Sequence, residues 1–199
     1  MISSLDVIST HSKGRCVKAL SFIRKGSVLL CEKPSVYICT DPSLFTQDKC
    51  RNRLGPPSSK ECLYAKNTPT RKLGTILTLR LIFLINSGEI SSLDAPAPAP
   101  NTDTKEIAKC AYLYFEGSVS MDTCIVAADK VLRNAFTVTD SEIMPKGLAL
   151  YDEASYFNHS CEPNACPSFD PSTGIIIIRA CQDIYPGQEV SVAYIDVGQ

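Results

Sequence analysis

"YFNHSCEPNA", residues 156–165, decides how this chain is interpreted. The run is too polar for a core strand, and its residue order is too specific for an ordinary loop. One interpretation of its chemistry is a polar loop in which Asn158, Ser160 and Asn164 bond to the loop's own backbone. On composition alone, this structural interpretation is favoured over a catalytic one.

A metal site and a nucleophilic site stay open beside it. Zinc could bind His159, Cys161 and Cys166, but the only other histidine is His11, and no regular spacing supplies a fourth ligand. A nucleophilic pair of Cys161 and His159 would need two side chains only two positions apart to emerge together from an unusual loop. Such a pair predicts a hydrolase whose activity is abolished by alkylation of Cys161.

The composition of the whole chain is that of one globular domain. Of 199 residues, 44% are hydrophobic and 21% are charged, which is enough to bury a core. The net charge of −1 gives no general attraction to phosphate backbones, so nucleic-acid binding is not expected. Ten cysteines without a C-x-x-C pair, and an amino terminus without an apolar signal region, favour free thiols in a reducing compartment. The longest apolar run, residues 73–85, contains Arg80 and is too short to cross a bilayer, so no membrane association is expected.

Both ends of the chain show the pattern of β structure. Residues 17–38 predict a hairpin around the turn Arg24-Lys25-Gly26, followed by a short strand that ends at Asp41-Pro42. Residues 174–195 predict a strand, a Pro186-Gly187 turn and a final alternating strand. The two segments have similar residues at the same spacing. These residues are Ala19, Ile23, Gly26 and Leu29 in the first segment and Ala180, Ile184, Gly187 and Val190 in the second.

The middle of the chain, residues 42–136, is predicted to be helical. Apolar residues in 73–84 follow helical spacing, with Thr70 as a candidate N-cap and Gly88 as the residue that ends the helix. The simplest explanation of such a stripe is core packing.

Two further apolar stripes, at residues 107–114 and 121–135, predict two more helices. Before them, "APAPAP" at 95–100 predicts an exposed extended connection, because alternating prolines exclude both a helix and a central strand. The sequence therefore places a helical insertion between two related hairpins, one in each β segment.

The order of residues in the opening run matches the signature N-H-S-C-x-P-N. On this run and three further motifs, which occur in the expected order, the chain resembles the SET-domain protein lysine methyltransferases, especially the branch that contains the SET and MYND proteins. The further motifs are "GRCVKAL" at 14–20, "NAFTV" at 134–138 and "GQEVSVAYID" at 187–196.

The resemblance covers most of residues 12–40 and 131–196, and it implies an α+β fold that is mainly β. In that fold, small β-sheets carry a helical insertion, and the C-terminal strand passes through the N-H-S-C loop as a pseudoknot. We therefore predict a single SET domain over residues 1–199. Its parts are an N-terminal half, a helical insertion with the proline-rich connection and a C-terminal half, at residues 1–41, 42–136 and 137–199.

The same resemblance implies that the chain binds S-adenosylmethionine and transfers its methyl group to the ε-amine of a lysine in a protein or peptide. No nucleophilic side chain is needed, because positioning of the amine, methyl and sulfur supplies most of the catalysis. The catalytic residues implied are Tyr194, which orients the amine and the methyl group, and Phe136, which lines the lysine channel. The implied cofactor-binding residues are Lys13, Arg15, Asn134, Ser155, Asn158 and His159.

Within this set, the resemblance places Asn158 at the amino-acid end of the cofactor and the backbone of His159 at the adenine. Lys13 and Arg15 would meet the cofactor carboxylate. Ordinary structural explanations stay open for several of these residues. Tyr194 could pack as a strand tyrosine, Phe136 as a core residue at a helix end, and the two cations could belong to a solvated turn.

The chain departs from the family pattern at three places. Cys16 replaces a second glycine of the opening motif, where a side chain could crowd the approach to the cofactor. Cys50 and Cys62 are too few for the MYND zinc finger, so no metal is expected. The sequence stops at Gln199, without the post-SET segment that usually closes the lysine channel.

These departures keep a second function open, a SET-fold protein-interaction module with weak or no catalysis. No basic run of about 5 to 8 residues marks a nuclear signal, so the expected location is the cytoplasm, the nucleus or both. A lysine-bearing protein is the expected partner in either compartment.

Overall fold

The computed structural model describes residues 2–10, 14–39, 59–66, 72–88 and 100–194. These residues form ten β-strands, four α-helices and a 3-10 helix at Ala154–Tyr156. The strands are β1 Leu5–Thr10, β2 Gly14–Ala19, β3 Val28–Glu32, β4 Val36–Cys39, β5 Phe136–Thr139, β6 Pro145–Leu150, β7 Asn158–His159, β8 Ala165–Phe169, β9 Ile176–Ala180 and β10 Glu189–Val192. The helices are α1 Ser59–Ala65, α2 Lys72–Asn86, α3 Thr102–Tyr114 and α4 Met121–Asn134. Small sheets combined with a group of helices confirm the predicted α+β class.

The chain divides into two compact units. The first contains Met1–Ser35, Thr139–Met144 and Tyr151–Gln199, and the second contains Val36–Val138 and Pro145–Leu150. The first unit therefore joins both ends of the sequence, while the second contains its middle. The single SET domain and its three internal parts stay a prediction.

Two sheets make up the first unit. One has the strand order β1-β2-β10-β7, and the other has the order β3-β9-β8. The predicted hairpins are wrong, because β2 and β3 lie in different sheets, and so do β9 and β10. The turns themselves form, since Gly26 and Gly187 have φ values of 85° and 84°. Each turn carries the chain from one sheet to the other, where the strand finds a partner that is distant in sequence.

The repeated spacing of the two β segments has a structural cause. Ile23 and Ile184 form a reciprocal bridge, in which each N–H donates to the other's carbonyl at 2.9 Å. The two segments therefore pair with each other in equivalent ways, which brings the N-terminal β structure against the C-terminal strands. The equivalent turn bonds are Gly26 N to Ala180 O, 2.8 Å, and Gly187 N to Ala19 O, 2.7 Å.

The second unit combines the sheet β4-β6-β5 with the four helices. Apolar side chains of α2, including Leu77 and Ile82, are fully buried, as the periodicity predicted. α3 and α4 are capped at their N-termini by Asn101 and Ser120, whose side-chain oxygens each accept the backbone N–H three residues later. Gly88 follows α2 with a φ of 74°, as expected for a residue that ends a helix.

Two sequence predictions for this unit concern residues that the structure does not describe. Thr70 and residues 95–99 of the proline-rich connection lie outside the described residues. Among the helices that the structure describes, none has the length and apolar character needed to cross a membrane.

Candidate functional site

The polar run of the opening signature lies along the last strand of the described chain. Residues 157–164, here called the NHSC loop, contain β7, which pairs in parallel with β10. In this pairing Asn158 is the partner of Ser191, and His159 is the partner of Val192. β10 also pairs with β2 on its other edge. The last strand therefore lies between β2 and the NHSC loop, as expected at the predicted crossing.

Asn164, the last residue of the signature, attaches the NHSC loop to β10. Its Oδ1 accepts the N–H of Ser191 at 2.9 Å, and its Nδ2 donates to the carbonyl of Glu189 at 2.8 Å. Its own carbonyl accepts the N–H of Cys181 at 2.8 Å. One side chain thus accepts from one backbone group of β10 and donates to another. The sequence analysis names Asn164 as a residue that bonds to backbone, but its partners on β10 become evident only from the pairing of the strands.

Asn158 connects three strands at one point. Its Nδ2 donates to the carbonyl of Arg15 on β2 at 3.2 Å and to Oε1 of Glu189 on β10 at 2.9 Å. The amide oxygen Oδ1 is the acceptor of this side chain, so it is the atom to which an ammonium group could donate. Glu189 is therefore a further residue of the site. The sequence does not reveal it, because its role depends on which strands pair with β10.

Arg15 is placed beside the NHSC loop by an aromatic ring. Its guanidinium lies 4.4 Å from the centre of the Tyr156 ring, a cation–π contact. Arg15 is exposed, so its N–H donors can reach an anion. The hydroxyl of Ser155 donates to the carbonyl of Asp152 at 2.7 Å, a bond that stabilises the turn before the loop. Lys13 lies outside the described residues.

His159 contacts Tyr194 and Cys161. Its Nδ1 accepts the backbone N–H of Tyr194 at 3.0 Å, and the centres of the two rings are 5.5 Å apart. Since Nδ1 is an acceptor, the neutral ring carries its proton on Nε2, which lies 3.5 Å from Cys161 Sγ. In this tautomer Nε2 donates to the sulfur and cannot remove the thiol proton. The contact therefore lacks the base that a Cys–His hydrolase needs.

Tyr194 is attached to the NHSC loop at two points. Besides the bond from its backbone to His159, its hydroxyl donates to the carbonyl of Phe157 at 2.7 Å. A phenolic hydroxyl is both a donor and an acceptor of hydrogen bonds. Burial raises the pKa of the Tyr194 hydroxyl above its ordinary value, even though 51% of the residue's surface is exposed. At neutral pH the group is therefore an uncharged hydroxyl.

Asn134 and Phe136 lie in the second unit. Asn134 ends α4, and its Nδ2 donates to the carbonyl of Lys130 at 2.9 Å, a bond within the helix. Phe136 begins β5 and is partly buried. The roles assigned to all of the predicted site residues stay predictions. Five of these residues are brought together in the first unit, namely Arg15, Ser155, Asn158, His159 and Tyr194.

The described cysteines are free thiols. Cys16 is only 1% exposed, so its side chain belongs to the interior of the first unit. Within the described parts of the chain, no three His, Cys, Asp or Glu side chains are grouped so that they could bind a metal ion.

Comparison with known proteins shows which family this sequence matches. A family model described as "SET domain" matches residues 14–195. The human protein "Histone-lysine N-methyltransferase SMYD3" is 22% identical over 239 residues, which cover 97% of this chain and 55% of that protein. "N-lysine methyltransferase SMYD2-B" of Danio rerio is 43% identical over 65 residues, covering 32% of this chain and 14% of the relative. "N-lysine methyltransferase SMYD2" of Bos taurus is 36% identical over 76 residues, which cover 38% of this chain and 17% of the relative.

Although the match to the human relative includes nearly all of this chain, the chain spans only about half the length of that relative. A solved protein structure from Plasmodium falciparum covers 98% of this chain and 96% of that chain, with 12% identity and a TM-score of 0.40. Because this structural likeness is low, the family assignment rests on the sequence matches.

Proposed function

Because this chain belongs to the SET-domain family, we propose that it transfers a methyl group from S-adenosylmethionine to the ε-amine of a protein lysine. Relatives that it resembles in sequence are named lysine methyltransferases. The substrate is a histone or another protein or peptide that bears a lysine. We place this activity in the cytoplasm, the nucleus or both.

The proposal rests above all on the double attachment of Tyr194. Its backbone is bonded to His159 and its hydroxyl to the Phe157 carbonyl, so the phenolic oxygen has a defined position at the end of β10. A group fixed in this way can orient an amine without reacting with it. Methyl transfer between two bound groups requires that kind of positioning and no covalent intermediate with the protein.

The groups around Asn158 fit a ligand with an amino-acid end. Arg15 presents guanidinium donors that suit a carboxylate, and the Oδ1 acceptor of Asn158 suits an ammonium. We assign the adenine to the backbone of His159, as the family resemblance implies. When bound, S-adenosylmethionine would supply an electrophilic methyl group on a positively charged sulfur.

The substrate lysine must react as a neutral amine. Its ordinary pKa is about 10.4, and an apolar channel lowers that value because burial disfavours the charged form. The uncharged hydroxyl of Tyr194 can then accept an N–H of the amine and direct the nitrogen lone pair toward the methyl group. Phe136 and Asn134 keep the channel and cofactor roles that the family resemblance implies.

The test is a methyl-transfer assay with the full 199-residue chain, labelled S-adenosylmethionine, core histones and a library of lysine-containing peptides. Tyr194→Phe is compared with Tyr185→Phe. Tyr185 is exposed, and its ring lies 5.4 Å from that of Phe22, so this control removes the hydroxyl of a different tyrosine in the same unit.

We expect transfer by the wild type and by Tyr185→Phe, and its loss in Tyr194→Phe. Undiminished transfer by Tyr194→Phe would refute the role of this hydroxyl. A wild-type chain that binds the cofactor but methylates none of the substrates would favour the non-catalytic interaction module.

A further inference from the structure

Glu32, the last residue of β3, is bonded to the turn that precedes the NHSC loop. Its Oε1 accepts the N–H of Asp152 at 2.8 Å and of Glu153 at 3.0 Å, and its Oε2 accepts the N–H of Ala154 at 2.8 Å. Three consecutive backbone donors therefore converge on one carboxylate that lies about 120 residues earlier in the sequence. No motif in the sequence indicates this contact.

The turn bonded by Glu32 leads directly into the candidate site. Tyr156, two residues after the turn, is the ring on which the Arg15 guanidinium lies. The next residue, Phe157, is fully buried, and its carbonyl accepts the hydroxyl of Tyr194. A displacement of the turn would therefore reach both the cation and the tyrosine through direct contacts.

We propose that Glu32 is a positioning residue for the cofactor site. The Glu32 carboxylate fixes residues 152–154 and thereby sets the positions of Tyr156 and Phe157. This inference rests on the proposed function, since it concerns the same site. The contact requires a carboxylate, which accepts at both oxygens and donates nothing. A glutamine of the same size would direct an NH₂ group toward at least one of the three N–H donors.

The charge of Glu32 is opposed by burial and favoured by its three hydrogen bonds. Burial raises the pKa of the Glu32 carboxyl above its ordinary value, and the nearby Asp152 carboxylate adds to the rise, while the three N–H bonds act in the opposite direction. The inference rests on the geometry of the three converging N–H donors, which needs two accepting oxygens at one place.

The test compares Glu32→Gln with Glu142→Gln in the full chain. Both variants replace a carboxylate by an amide of the same size, but Glu142 is an exposed residue of the turn between β5 and β6. Hydrogen exchange of the amides of residues 152–159 is measured without ligand. The affinity for S-adenosylhomocysteine is measured by calorimetry, and the melting temperature is recorded for each variant.

For Glu32→Gln, we expect exchange in residues 152–157 and the Kd for S-adenosylhomocysteine each to rise about tenfold or more, because small displacements disable positioned groups. Exchange elsewhere and the melting temperature should stay close to the wild type. Glu142→Gln should match the wild type in all three measurements.

Wild-type exchange and affinity in Glu32→Gln would overturn the inference. A general loss of protection with a low melting temperature would also overturn it, since Glu32 would then act in overall stability. If Glu32→Gln does not fold, Glu32→Asp replaces it, because it keeps both oxygens on a shorter side chain. Raised exchange confined to residues 152–157 would then support the inference, and wild-type values would overturn it. If the wild-type chain does not bind S-adenosylhomocysteine, the proposed function fails, while exchange still decides whether Glu32 fixes the turn.

Discussion

The helical core of the second unit and the NHSC loop of the first unit are stabilised by different interactions. In α2, side chains such as Leu77 and Ile82 are fully buried among apolar neighbours, so removal of apolar surface from water supplies the energy. The NHSC loop is attached by hydrogen bonds that the side chains of Asn158, His159 and Asn164 donate or accept. Apolar contacts are tolerant of small displacements, whereas hydrogen bonds need defined distances and angles. The first region is therefore suited to stability, and the second is suited to positioning a reaction.

The largest effect should come from the helical core. Leu77→Ala should lower the free energy of unfolding by about 2–5 kcal/mol, because it removes buried methyl groups and leaves a cavity. Phe83→Ala is the control on the same helix, since Phe83 is 62% exposed and its loss should change stability by only about 0.5 kcal/mol or less. Urea unfolding measures both. Equal effects of the two substitutions would contradict the burial pattern.

The next effect should be confined to chemistry. Tyr194→Phe should lower kcat by about 100-fold, the size expected for loss of a positioned hydroxyl. The affinity for S-adenosylhomocysteine should change much less, because the Tyr194 hydroxyl is not one of the proposed cofactor contacts. A matched fall in affinity and kcat would show that Tyr194 acts on the cofactor site rather than on the amine.

Substitution of an asparagine in each region should have a smaller effect, and the two substitutions should differ in whether they change cofactor affinity. Asn164→Ala should cost about 1–3 kcal/mol of stability, because backbone groups of β10 lose their partners, and it should weaken cofactor binding as well. Asn101→Ala removes the side-chain cap of α3 and should cost about 0.5–2 kcal/mol without a change in affinity. Calorimetric titration beside urea unfolding distinguishes them. Loss of affinity in Asn101→Ala would remove the distinction between the regions.

The smallest effect should be a pH dependence that only the site region shows. The folded-state pKa of Glu32 is raised, so the stability associated with its carboxyl is fully present below the ordinary pKa and is lost as pH rises through the folded-state value. As pH rises above the ordinary pKa of a glutamate, about 4.3, the stability of the wild type relative to Glu32→Gln should therefore decline. Urea unfolding at several pH values measures this difference, and a difference that grows with pH would have the wrong sign.

The helices could be predicted from sequence because their signal is local. Apolar residues three or four positions apart predicted α2, α3 and α4, and Gly88 predicted that α2 ends just before it. The hairpins were predicted wrongly for the opposite reason. A strand such as β3 has its partner β9 about 150 residues away, and alternation shows that a strand exists without showing its partner.

The candidate site divides in the same way. The signature and the closing motif identified Asn158, His159 and Tyr194, which the structure brings together. Glu32 and Glu189 were missed, because their contacts exist only after distant segments have folded against each other. The choice between the methyl-transfer and hydrolase interpretations likewise depended on a long-range contact.

That contact is the bond from the Tyr194 N–H to Nδ1 of His159. It fixes the tautomer in which Nε2 donates to Cys161, and no feature of the sequence HSC could have shown it.

The central claim, an S-adenosylmethionine site around Asn158, is tested most directly by calorimetric titration of the full chain with S-adenosylhomocysteine, with Asn158→Ala as the comparison. We predict saturable micromolar binding by the wild type, on the order of −8 kcal/mol, and its loss in a folded Asn158→Ala. A folded wild-type chain that does not bind the ligand, or an Asn158→Ala variant that binds it equally well, would contradict the claim.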